Sequence, residues 1–179
     1  MTGQPEGLLY IPDFLSDTEQ IASLDELQLL PYTHDVFHGR KMRRGYAQFG
    51  YAYVTTSRKL KPALALPAFL QAVISQASPY YPASVTFTQL IVTHYPSGAG
   101  IGWHTDAPVF SEYILGISLA SEARLQFRPK KSQKASFEVK VAPGSLYVMH
   151  GSARYDYEHR IMPVKTERYS LTFRCLAQA

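Results

Sequence analysis

A chain of 179 residues with 46 % hydrophobic and 18 % charged residues has the size and composition of one globular domain, neither disordered nor fibrous. No apolar run approaches the roughly 20 residues of a membrane span, residues 1–7 lack the basic and apolar regions of a secretory signal, and the lone cysteine, Cys175, excludes an intrachain disulfide and a cysteine-based zinc site. The expectation is a cytoplasmic monomer with no membrane partner, whose net charge of +4 favours anionic partners without identifying one.

In chain order, residues 8–11 predict a short strand that Pro12-Asp13 breaks. Ser16 and Glu19 have capping-box spacing and open a helix predicted over 17–29, with Ile21, Leu24 and Leu27 toward the core and Pro31 beyond its end. In 34–56 the basic residues Arg40, Lys41, Arg43 and Arg44 give way to Tyr46, Phe49, Tyr51 and Tyr53, with glycines at 39, 45 and 50. This predicts hairpin or loop material rather than a regular core strand. Its cations can pair with phosphates and its rings can stack on bases. An aromatic edge hairpin that only packs would have the same composition. Pro67 and the apolar positions 69, 70, 73 and 74 predict a second helix over about 67–77.

After residue 83 the pattern changes to strands and turns. Residues 85–95 are β-rich, 96–100 form a turn, and strands are expected at 101–104, 113–119, 123–128, 136–141, 145–149 and 168–174. Arg128, Lys130, Lys131 and Lys134 form a second basic cluster, expected as a solvated loop. The predicted fold class is mainly β with flanking helices: an antiparallel sandwich or barrel with helices on one face.

Two stretches carry chemistry. His104 and Asp106 alternate on one strand and point the same way about 7 Å apart. Such a pair is ordinarily a surface hydrogen-bond pair. With a third ligand it becomes the two-histidine, one-carboxylate arrangement of non-haem Fe(II) oxygenases, and of the remaining histidines (34, 38, 94, 150 and 159) His150 and His159 are best placed, between the last two strands. The strand 168–174 sets Arg168, Ser170, Thr172 and Arg174 on one face and Tyr169, Leu171 and Phe173 on the other. Facing water, this would be a plain amphipathic strand. Facing inward, the arginines need anions, and a small dicarboxylate supplies two.

The His-x-Asp pair, the distal histidine and the 168–174 strand together resemble the AlkB family of Fe(II)/2-oxoglutarate dioxygenases. The likeness runs from about 8 to 174 and is strongest in 90–106 and the closing strand. The resemblance implies a double-stranded β-helix (jelly-roll, cupin-like) core at about 83–175 in a single domain over 1–179, with N-terminal helices and a nucleotide-recognition lid at about 34–56. It implies His104, Asp106 and His159 as iron ligands and catalytic residues, with 2-oxoglutarate and O2 as cosubstrates. Arg168 would bind the distal carboxylate of 2-oxoglutarate, Arg174 would lie near its 1-carboxylate, and Tyr95 would touch it. Thr93 and Ser170 stand where the family's repair enzymes have Asn, and can still hydrogen-bond. Pro108 stands where the bacterial prototype has an acidic base reader.

The implied function is oxidative dealkylation of N-alkylated bases in single-stranded or base-flipped DNA or RNA, as in alkylation-damage repair. Arg40, Arg43 and Arg44 would contact nucleic acid. His104 would offer a ring face to the base, with Tyr46, Phe49 or Tyr51 closing the other side. The alternatives are the same chemistry on tRNA, protein or a small molecule, a non-catalytic nucleic-acid-binding module, and a hydrolytic zinc enzyme, which would have no use for Arg168 and Arg174.

Overall fold

The computed structural model describes residues 3–37, 39–54 and 57–176. His38, Thr55 and Thr56 of the expected lid lie outside the described residues, as do the chain ends. In order, the elements are β1 (Leu8–Ile11), α1 (Asp17–Gln28), β2 (Val36–Phe37), β3 (Arg40–Lys41), β4 (Gly45–Phe49), β5 (Tyr51–Val54), β6 (Lys59–Pro62), α2 (Ala68–Gln76), β7 (Gln89–Tyr95), β8 (Ile101–His104), β9 (Phe110–Leu119), β10 (Ala123–Pro129), β11 (Phe137–Val141), β12 (Leu146–Met149), α3 (Gly151–Tyr155), β13 (Tyr157–Ile161) and β14 (Arg168–Leu176). A six-stranded antiparallel sheet has the order β1-β12-β9-β14-β7-β4 and a four-stranded one β11-β10-β13-β8. Together they form the expected jelly roll.

Alternation along the six-stranded sheet produces two cores. Leu90, Val92, Leu115, Ile117, Leu119, Leu146, Val148, Tyr169, Leu171 and Phe173 face outward and pack with Leu27 of α1 and Leu70 and Val73 of α2. The other face, carrying Tyr95, Ile114, Tyr147 and Met149, packs against Leu125, Phe127 and Ile161 of the four-stranded sheet. The central strands are therefore buried on both sides, and Arg168 and Ser170 are as enclosed as their apolar neighbours. Gly116 on β9 leaves room for the Tyr147 ring; an added Cβ would lie 2.0 Å from Tyr147 Cζ.

Several sequence expectations change. The capping box is formed in both directions, Glu19 N–H to Ser16 Oγ and Ser16 N–H to Glu19 Oε2. Ile21, however, is exposed and Ser23 is buried in its place. Positions 21 and 27 lie about 120° apart around a helix, too far for one narrow face. The strand expected from 85 starts only at Gln89. The segment expected as hairpin or loop rather than a regular core strand contains β4, a full strand of the large sheet paired with β7, besides β5 of the β5–β6 hairpin. Gly50 (φ +72°) then turns the chain sharply where a Cβ would meet Thr88 O at 2.0 Å. His159, expected in a connection between the last two strands, sits on a strand, β13.

Candidate active site

Two ladders place the charged face of β14. Arg168, Ser170, Thr172 and Arg174 lie opposite Tyr95, Thr93, Ile91 and Gln89 of β7, and Ser170, Thr172 and Arg174 lie opposite Ser118, Gly116 and Ile114 of β9. This face points between the sheets. Arg168 is fully buried; its Nε donates to Ser118 Oγ at 2.9 Å and its guanidinium lies 5.2 Å from the Tyr95 ring centroid. Its Nη1 and Nη2 have no hydrogen-bond partner among the described residues. Two unpartnered donors on a buried cation amount to a binding site for an anion of two oxygens. Neither Ser118 nor Tyr147, which is buried beside this face, was singled out from the sequence; both lie on strands whose positions read as uniformly apolar core.

His104 ends β8 and lies directly opposite His159 on β13, ring centroids 4.3 Å apart. The β8–β13 register slips by a residue between these positions and the Ile101–Ile161 pair. The bulge lets His104 and Ile101 both face inward although they are three positions apart. His104 Nδ1 bonds Gly102 O at 2.9 Å, leaving Nε2 as the ring's free donor atom. Trp103, pointing to the other face, has the guanidinium groups of Arg128 (4.5 Å) and Arg160 (4.4 Å) over its ring.

Asp106 lies two residues beyond the end of β8, which has the bounds expected for that strand, so strand alternation alone does not place its side chain. A residue missed in the sequence fixes it. Arg154 of α3 is buried and donates to three carbonyls: Asp106 O (3.3 Å), Ala107 O (3.1 Å) and Phe110 O (3.3 Å). No spacing rule connects position 154 with 106. The Asp106 carboxylate approaches His159 Nε2 at 3.8 Å and forms an ion pair with Arg174 Nη2 at 2.6 Å. Burial pushes its carboxyl up, but the charge of Arg174, then of His159, His104 and Arg154, outweighs that and holds it well below the usual carboxylate range. Burial, aided by His104, lowers His159 to about 3, so it is a neutral imidazole with a lone pair to donate. Among the described residues no three His, Cys, Asp or Glu side chains are gathered into a finished metal cage. His104, Asp106 and His159 are neighbours of the right donor types, with Arg174 drawn onto one carboxylate oxygen.

These residues lie in a cavity of about 1050 Å³ between the sheets, lined also by Tyr95, Thr93, Ser170, Thr172, Arg174, Tyr147 and Met149. Its outer part is lined by Asp35, Arg44, Tyr46, Tyr53 and Arg58. Of the expected substrate residues, Arg44 and Tyr46 reach it, and the Tyr46 hydroxyl donates to Asp35 Oδ1 at 2.9 Å. Arg40 and Tyr51 are exposed outside the lining, and Arg43 is tied to Ser97 O at 2.5 Å. Phe49 is corrected outright: it is 4 % exposed in the helix-side core, because Tyr46 and Phe49 lie on opposite faces of β4. Tyr53, not Phe49, supplies the second ring at the cavity. No helix among the described residues is long and apolar enough to cross a membrane.

A protein-family model described as the 2OG-Fe(II) oxygenase superfamily matches residues 7–174. An Arabidopsis thaliana protein named "Alkylated DNA repair protein ALKBH8 homolog" is 28 % identical over 90 % of this chain and 52 % of its own length. The mouse "tRNA (carboxymethyluridine(34)-5-O)-methyltransferase ALKBH8" is 28 % identical over 90 % of this chain and 25 % of its own. The chain thus spans about half of the first relative's length and a quarter of the second's. The solved structure of OsALKBH1 superposes with a TM-score of 0.75 at 18 % identity, covering 97 % of this chain and 98 % of that one, which is a likeness of fold.

Proposed function

The chain belongs to the 2OG-Fe(II) oxygenase superfamily, and from that membership we propose that it oxidises an alkyl substituent on a base of single-stranded or flipped-out nucleic acid. It is an oxidoreductase of AlkB type that uses Fe(II), 2-oxoglutarate and O2. When bound, that group supplies the oxidation of a C–H bond, with 2-oxoglutarate leaving as succinate and CO2. The residues present fit it on two grounds: two imidazoles and a carboxylate meet at one end of the cavity, and Arg168 offers two buried donors without a partner.

His104, Asp106 and His159 would hold the metal, the histidines through Nε2. Arg168 would take the distal carboxylate of 2-oxoglutarate, beside Tyr95 and Ser118. Arg174 would face its other end, and Thr93 and Ser170 offer hydroxyls along the way. Phe110, Leu125, Met149 and Ile161 keep bulk water from the reacting carbon. Arg44 and Arg58 at the mouth would receive phosphates, and Tyr46 and Tyr53 flank the path of a base. A carbon attached to a ring nitrogen, once hydroxylated, breaks the C–N bond to release an aldehyde and the bare base.

The cavity with arginines and tyrosines at its mouth and the His104–Asp106–His159 group at its end is the observation that carries this reading. Apolar Ala107, Pro108 and Val109 line the wall after the ligand pair, which leaves Asp35 as the lining's other carboxylate. A second reading, oxidation of a modified tRNA base, takes its support from the printed name of the mouse relative. Fe(II)-loaded enzyme given 2-oxoglutarate, O2 and a panel of methylated DNA, RNA and tRNA fragments should produce succinate and one demodified or hydroxylated base by mass spectrometry. His104→Ala and Asp106→Ala should each abolish both; turnover retained in the two variants would refute the ligand assignment. Binding should weaken with a log–log salt slope of about −0.7 per single-strand phosphate contacted; a flat response would exclude a nucleic acid.

A further inference from the structure

An unbroken line of polar contacts runs from the cover of the cavity to its carboxylate. The main-chain N–H of Tyr53, within β5, donates to Gln48 Oε1 at 2.8 Å, and Gln89 Nε2 donates to the same oxygen at 3.0 Å. Gln89 Oε1 accepts from Arg174 Nη1 at 3.2 Å, and Arg174 Nη2 meets Asp106 Oδ1 at 2.6 Å. Register makes the line continuous. Gln48 lies opposite Ile91, and Gln89 lies opposite Arg174, so both amides and the guanidinium share the inner face of the large sheet. An apolar line runs beside it. The Tyr53 ring stands edge-on to Phe110 at 6.0 Å, and the Arg174 guanidinium lies 4.9 Å over Phe110.

Two features make this more than ordinary packing. Gln89 is only 2 % exposed. Burying an amide brings no advantage over leucine unless both of its ends are used, and here each end is committed to a different element. Secondly, β5 and β6 form a two-stranded sheet separate from the two large ones. It is hinged at its base by Gly50 N–H to Leu64 O (2.7 Å) and Ala63 N–H to Gly50 O (2.9 Å). Above that hinge, the Gln48 side chain ties the main chain of β5 to the large sheet.

We propose that Gln89 is a positioning residue which, through Gln48, couples the seating of the β5–β6 hairpin to the orientation of Arg174 and so to Asp106. A substrate that seats the hairpin then also sets the 2-oxoglutarate end of the site. The proposal rests on reading Arg174 and Asp106 as parts of the oxygenase centre, so its test has one arm independent of that reading.

In the metal-free protein, hydrogen exchange of 51–54 is measured for wild type, Gln48→Leu, Gln89→Leu and Gln89→Glu. Gln48→Leu removes the acceptor of the Tyr53 amide and should speed its exchange about five- to tenfold, the factor that one net hydrogen bond commands. Gln89→Leu, which does not touch that amide, should also speed it at least threefold. Gln89→Glu, which keeps an acceptor for Arg174 but has no donor for Gln48 Oε1, should leave the exchange as fast as in Gln89→Leu. In the Fe(II)-loaded enzyme Gln89→Leu should raise KM for 2-oxoglutarate several-fold with kcat changed less than twofold. Tyr53 exchange in Gln89→Leu equal to wild type, or unaffected by Gln48→Leu, would overturn the coupling. An exchange response in a wild-type enzyme that makes no succinate would keep the coupling and overturn the oxygenase site instead.

Discussion

Replacing Arg168 by methionine should move stability and cosubstrate binding in opposite directions. The guanidinium is wholly buried with one neutral partner, Ser118 Oγ, and two nitrogens without any among the described residues. Holding a charge in that state costs several kcal/mol, and exchanging a buried charged group for an apolar one of similar volume commonly stabilises by about 1–4 kcal/mol. Loss of the contact with the Tyr95 ring returns about 0.5–1 kcal/mol of that gain. The ligand-free Arg168→Met protein should therefore be more stable by about 1–3 kcal/mol, and each kcal/mol raises the melting temperature of a chain this size by about 2–4 °C. The two idle donors are also what a carboxylate would use. At about 1.5–3 kcal/mol per charged hydrogen bond, losing both should weaken 2-oxoglutarate by roughly 10²- to 10⁴-fold. Scanning calorimetry without ligands and titration of 2-oxoglutarate into Mn(II)-loaded protein read the two effects separately. A variant that melts below wild type and binds 2-oxoglutarate within threefold of it would refute the assignment of this arginine.

Removing Arg154 leaves three carbonyls of the 106–110 segment without their shared donor, so Arg154→Ala should lose about 3 kcal/mol in urea unfolding; its Mn(II) affinity should fall by more than that of a variant equally destabilised elsewhere. Gly116→Ala should cost about 1–3 kcal/mol by overpacking against Tyr147; Tyr147→Leu should recover much of it in the double variant, whereas Tyr147→Phe should not, because the ring carbon itself is in the way. In the metal-free protein the urea midpoint should fall as pH drops below about 6.5. His159 is held near 3 when folded and protonates at its ordinary pKa when unfolded, so the unfolded chain takes up a proton that the folded chain refuses. Below about pH 4 Asp106 acts in the same sense, since its folded carboxyl stays ionised after the unfolded one has protonated. A midpoint unchanged between pH 7 and 4.5 would contradict the burial of a neutral His159.

The charged face of β14 was legible because period-two alternation with two arginines has few inexpensive placements, and the structure turns that face inward. The capping box was legible because it depends on four consecutive residues. What failed depended on partners distant in sequence. In Tyr157–Ile161 the polar residue at the centre of the inward face is His159 itself, so a strand identified by apolar alternation goes unseen. Asp106 was placed by strand geometry that stops two residues short of it, and the arginine that holds it comes from a five-residue helix 48 positions on. Phe49 and Tyr46 looked equivalent as aromatic neighbours; only the pairing of β4 with β7 decides which ring meets the cavity and which the core.

The packing of Arg128 and Arg160 over Trp103 gives the protein an optical handle. Trp103 is the only tryptophan in the chain, and the next residue, His104, turns to the opposite face. All tryptophan emission therefore originates at one strand, from an indole in contact with two cations. Filling the cavity side of that strand is relayed through a single peptide unit to the fluorophore. Changes in tryptophan intensity or wavelength on adding Mn(II) or 2-oxoglutarate would come from one known position, with no label introduced and no second tryptophan to subtract.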